Sequence, residues 1–159
     1  MNTVRVEKWL SLVANLAVLV GIIFLALEIR QANHIAIATT EISIRGEHKA
    51  LNELILGNDD VAQLLVRAQD PDADFSPVDT EKLYAYLYAC INTWLSIEIA
   101  YVNGMITDAT FEMTLDDVRG VLRYYPGLQP LMRDSINDYP STADTHVYAT
   151  IREVLGDAE

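Results

Sequence analysis

The stretch LSLVANLAVLVGIIFLAL, residues 10–27, holds eighteen consecutive positions without a charge. Extended to Ile29 it gives about 20 residues, or about 30 Å of helix at 1.5 Å per residue, the thickness of a bilayer's hydrocarbon core. Trp9 stands at one edge, where an amphipathic ring prefers the headgroup level, and Glu28 and Arg30 close the other edge. The stretch therefore reads as a single membrane-spanning helix. A cleaved signal peptide is the competing reading, because Arg5 and Lys8 supply a basic leader. Against it, the apolar run is too long and charges follow it directly. The one small-x-small site, Ala36-Ile37-Ala38, lies well beyond the run. A retained anchor in contact with the lipid bilayer is the expectation.

The faces of this helix differ. Ala14, Ala17 and Gly21 are spaced 3 and 4 apart, and Ala17-x-x-x-Gly21 is a small-xxx-small pair that lets helices approach closely. Ser11, Asn15, Val18 and Ile22 follow an adjacent stripe. Asn15 is costly in hydrocarbon without a hydrogen-bond partner. The two stripes point to self-association into a homo-oligomer, with Asn15 bonding across helices or lining a narrow, mostly apolar pore. Small-xxx-small pairs are also frequent in membrane helices that do not associate. Basic residues flank the span on both sides (Arg5 and Lys8 before it, Arg30 and Arg45 after), so charge sets no clear orientation. A lone unpaired thiol, Cys90, inclines the reading towards a reducing, cytoplasmic compartment for the C-terminal part.

Outward from the span, the chain of 159 residues is long enough for one domain, and 51% of it is apolar, too much for a disordered segment. One cysteine excludes an internal disulfide and a cysteine-rich zinc site. The net charge of −12 argues against nucleic acid as a partner. Residues 1–57 hold 5 basic and 5 acidic groups, whereas residues 58–159 hold 6 and 18, so all the excess negative charge follows Gly57. Such a surface is well solvated and repelled by anionic headgroups.

After Ile29 no proline appears until Pro71, and Ile37, Ile44 and Leu51 recur every seven residues, with Ile35 and Ile42 on a second stripe. The pattern predicts one helix running on from the membrane to about Leu56, stopped by Gly57, with Gly46 as its weak point. Asn58-Asp59-Asp60 caps a short helix to about Gln69. Ser76-Pro77-Val78-Asp79 opens the next with a cap residue, proline at the first position and an acid three residues after the cap. That helix runs to about Asn103, and Gly104 stops it. Its central part, residues 83–102, contains one charge, Glu98. Six polar residues, among them Tyr84, Asn92 and Ser96, make it a buried central helix rather than a second span. Helices from Thr107 or Asp108 to Tyr124, from Leu128 to Asn137 and from the Ser141–Asp144 cap region to Gly156 complete an all-α chain. The organisation reads as an anchor and long helical stem over 1–57 and an acidic helical bundle over 58–159.

Templates for chemistry find little. His34, His48 and His146 are far apart, no zinc-protease, phosphate-loop or nucleophile-elbow motif is present, and Glu47 and His48 point to different helix faces. Asp70, Asp72 and Asp74 alternate, but the glycine a calcium loop needs is missing. Asp116, Asp117 and Glu112 read as a solvated face, and the tyrosines, Tyr139 among them, as helix-contact residues. Cys90, between Leu87 and Ile91, reads as a small buried residue. Glu98 is expected to be buried and paired with Arg119 or Arg123. No catalytic, cofactor-binding or metal-binding residue is expected, and the chain is read as not an enzyme.

Three segments carry a resemblance: the span ending in Leu25-Ala26-Leu27-Glu28-Ile29-Arg30-Gln31-Ala32-Asn33, the helix start Thr80-Glu81-Lys82-Leu83, and the stretch Glu98-Ile99-Ala100-Tyr101-Val102-Asn103-Gly104-Met105-Ile106. In pattern and order they resemble an uncharacterised, mostly proteobacterial family of small single-pass membrane proteins with a helical C-terminal domain. The resemblance implies an anchored α-helical protein of the bacterial inner membrane and supplies no activity. The function expected is that of a self-associating membrane protein with channel formation as its sharper form. The alternative is an accessory subunit whose acidic helices dock a membrane-protein partner.

Overall fold

A computed structural model describes residues 3–138 and 140–156, so Tyr139 lies outside the described residues, as does the side chain of Arg5. All regular secondary structure among the described residues is helical, with no strand among them. The helices are α1 (Thr3–Leu56), α2 (Asp59–Arg67), α3 (Pro77–Val102), α4 (Asp108–Tyr124), α5 (Gln129–Asn137) and α6 (His146–Leu155). The chain divides into two compact units, Met1–Ala38 and Thr39–Glu159, and the division falls inside α1. The sequence reading set its boundary at Gly57. The structure draws residues 39–56 into the second unit because Ile44 is buried there and Leu51 and Ile55 pack against its core.

The first unit is one helix. Its large side chains from Trp9 to Ile29 are exposed, and none of its most apolar window is buried. By length and composition it can cross a membrane, and among the described residues no other helix meets that test. α3, also strongly apolar, is instead interior: Leu83, Leu87, Ile91, Trp94 and Ile97 are fully buried along it.

In the second unit, helix ends follow local chemistry. Asn58 accepts the N–H groups of Asp60 and Val61 at the start of α2. Ser76 Oγ accepts the Asp79 N–H at 3.2 Å, and the Asp79 carboxyl is held below its usual range by its hydrogen bonds to Ser76 and by Arg67. This is a reciprocal capping box. At the far end of α3, Gly104 takes a φ of +67°, Gly104 N–H donates to the Tyr101 carbonyl and Met105 N–H to the Ala100 carbonyl, each at 2.8 Å. A left-handed residue with that bond pair ends a helix without orphan carbonyls, and glycine adopts the conformation at least cost. The acidic loop after α2 is an Asx turn, in which Asp70 Oδ1 accepts the Asp72 N–H. Arg67 pins this loop through the Asp74 carbonyl at 2.6 Å and stands over the Phe75 ring. For α6 the cap is Thr145, not the Ser141–Asp144 stretch. Thr145 Oγ1 accepts the Tyr148 N–H, whereas Pro140–Thr142 form a short 3-10 turn.

α3 packs against α2, α4, α5 and α6, and α4 lies along α6. The core gathers Trp94, Tyr148, Leu87, Leu122, Leu128, Met132 and Ile151, all shielded from solvent. Gly127, in the turn between α4 and α5, makes a close backbone approach. Its N–H donates to the Ala68 carbonyl at 2.8 Å, and a Cβ there would stand 2.8 Å from the Asp70 carbonyl and 3.0 Å from that of Ala68. Gly127→Ala should therefore destabilise the fold by about 1–3 kcal/mol, the cost of overpacking a tight site. Urea unfolding of the two proteins checks this, and equal midpoints would contradict it.

Candidate functional site

Ser11, Ala14, Asn15, Ala17, Val18, Gly21 and Ile22 all lie on α1 in the first unit, and all are exposed. The helical period sets Ala14, Ala17 and Gly21 on one face and Ser11, Asn15, Val18 and Ile22 on the next. Around Gly21 nothing stands within 4 Å of the place a Cβ would take. The face has the shallow relief that close helix packing uses.

Glu98 is buried, 5% exposed, as the sequence reading expected, but its partner is different. Glu98 Oε1 accepts the His146 backbone N–H at 2.7 Å and lies 3.0 Å from His146 Nδ1, and Oε2 accepts the Val147 N–H at 3.0 Å. Arg119 pairs with Asp116 and Glu153 at 3.1 and 3.6 Å, and Arg123 is exposed. The expected arginine pair is thus corrected. The first N–H groups of a helix have no partner within it and carry the positive end of its dipole, so the start of α6 serves where a cation was expected. The His146 ring is edge-on to Phe111 at 5.6 Å, and Phe111 stacks on Tyr101 at 4.1 Å.

A groove of about 240 Å³ lies between the 39–56 part of α1 and α4. One end holds Glu41, whose Oε1 accepts from Thr110 Oγ1 at 2.9 Å and Thr107 Oγ1 at 3.2 Å. Those hydroxyls, Thr110 first, keep the Glu41 carboxyl below its usual range, with Arg45 assisting. Because the folded-state pKa is depressed, this contact stabilises above the ordinary carboxylate range and is lost as pH falls through the depressed value. The other end holds Asp117. Its Oδ2 accepts the indole N–H of Trp94 at 2.8 Å and lies 3.9 Å from His48 Nε2. Ile44 and Thr114 are buried in the floor, while Arg45 and Met113 line the groove as exposed residues.

None of these groove residues was among the expected site residues. The usable trace was periodic: Glu41 and His48, and likewise Thr110 and Asp117, are seven apart, which sets each pair on one helix face. Asp117, read as part of a solvated cluster, is held by a buried tryptophan.

Among the described residues no group of three or more potential metal ligands converges. Cys90 is buried, and burial pushes its thiol up to about 12. A thiol-reactive probe at pH 8 should leave Cys90 unmodified in the folded protein and label it fully in denaturant. Rapid labelling without denaturant would show that the α3 interior opens.

No protein-family model, curated protein or solved structure matches this chain.

Proposed function

We propose that this is a non-enzymatic, single-pass protein of the bacterial inner membrane that self-associates through its N-terminal helix. Residues 58–159 then form an acidic helical bundle carried by the stem. The observation that carries the reading is an apolar helical stretch, residues 9–29, with every large side chain exposed, on which Ala14, Ala17 and Gly21 share one face. Lipid shields such side chains from water, and a second copy satisfies Asn15 better than lipid does. In its sharper form the oligomer is a channel, with Ser11, Asn15, Val18 and Ile22 along the axis.

Native gels and mass photometry in mild detergent test the oligomer. The intact chain should run as a defined assembly, and joint Ala17→Leu and Gly21→Leu substitutions should shift it to the monomer. A monomer at every concentration contradicts self-association. Planar-bilayer recording of verified oligomers tests the channel, and silence under voltage and tension removes it. The rival reading, an accessory subunit, draws on Ile99, Val102 and Met105, which are exposed near the end of α3. Co-purification of one stoichiometric foreign protein from native membranes would favour it.

A further inference from the structure

We propose that the groove between residues 41–48 of α1 and residues 110–117 of α4 binds a small zwitterion of the amino-acid type. The claim concerns the second compact unit alone and stands whether or not the N-terminal helix self-associates.

The lining chemistry selects the ligand. Each end of the groove presents a carboxyl group held in place by neutral donors: the threonine hydroxyls for Glu41 and the indole N–H for Asp117. Such donors fix position, and each carboxyl also has one basic neighbour, Arg45 near Glu41 and His48 3.9 Å from Asp117. Glu41 Oε1 and Asp117 Oδ2 make these bonds, and both carboxyls line the groove, where they can accept from a ligand's ammonium group. Arg45 and His48 also line the groove, and a guanidinium presents a planar fork that fits a carboxylate. An anion would meet two carboxyls here. A dication would be opposed by Arg45 and by His48 when protonated. A ligand with one positive and one negative group uses both sets. Ile44 in the floor and exposed Met113 offer apolar contact to a short side chain. The volume, about 240 Å³, is enough for a single amino acid.

Isothermal titration calorimetry on the full chain in mild detergent tests this, with the free standard L-amino acids as probes and butylamine and butyrate as single-charge controls. At least one amino acid should bind, and both controls should bind at least about tenfold more weakly. Arg45→Gln and Asp117→Asn should each weaken the amino acid about tenfold or more. Asp117→Asn retains an oxygen for the Trp94 indole, and Arg45 is exposed, so both variants should keep the helical circular dichroism of the parent. The proposal is overturned if no amino acid binds at concentrations up to about 10 mM. It is also overturned if either control binds as tightly as the best amino acid, or if both folded variants keep full affinity.

Discussion

Glu98→Ala is expected to cost about 2–4 kcal/mol of folding stability, from one buried N–H left without an acceptor and a second hydrogen bond lost. Its two oxygens take the first two backbone N–H groups of α6, and the bond to Val147 is buried. Alanine leaves the buried Val147 N–H without an acceptor, at about 1–3 kcal/mol, while His146 is an exposed residue whose N–H loses a part-buried bond. Glu98→Gln keeps one oxygen and the same volume, so it should fall between parent and alanine. The loss should also be local before it is global. Amide exchange should accelerate first at the start of α6, at His146 and Val147, while the α3 interior around Trp94 stays protected. Equal stability of the alanine variant and the parent would show that water, not Glu98, serves those N–H groups.

Trp94→Ala should be of similar size, about 3–5 kcal/mol for truncating a large buried aromatic side chain. Trp94 is shielded from solvent and lies at the centre of α3, the helix that meets α2, α4, α5 and α6. Its indole N–H is also the donor that fixes Asp117. Trp94→Phe separates the two roles. It keeps most of the apolar contact, removes the hydrogen bond, and should cost about 1–3 kcal/mol, partly because Asp117 loses its anchor. For a domain whose net stability is about 5–15 kcal/mol, the alanine variant should be marginal and the phenylalanine variant folded. Chemical denaturation of the three proteins checks the order, and a phenylalanine variant as unstable as alanine would assign the larger share to the hydrogen bond.

The fold was legible where each signal and its partner lie within a few residues. Ser76, Pro77 and Asp79 satisfy one another across one turn, and Asn58, Gly57 and Gly104 close helix ends with groups no more than four residues away. The Ser141–Asp144 stretch misled because serine and aspartate serve tight turns as readily as caps, and the chain uses Thr145. The polar contacts were not legible. Glu98 finds the start of α6 48 residues on, Trp94 finds Asp117 23 residues on, and Glu41 finds Thr110 69 residues on. An isolated acid in an apolar helix announces that a partner exists and says nothing of which. A helix N-terminus is an especially quiet partner, because its charge belongs to the backbone and leaves no mark in composition. The tight approach of Gly127 to Ala68 and Asp70 depends on how α2 and the α4–α5 turn meet, which no local pattern encodes.

The central claim is that residues 10–27 reside in lipid. Washing native membranes with alkaline carbonate, then separating pellet from supernatant by ultracentrifugation, tests it most directly on the full chain. The protein should stay wholly with the pellet and be released only by detergent, at the intact mass that includes Trp9 and Phe24. Recovery in the carbonate supernatant, or a purified mass that lacks those residues, would contradict it.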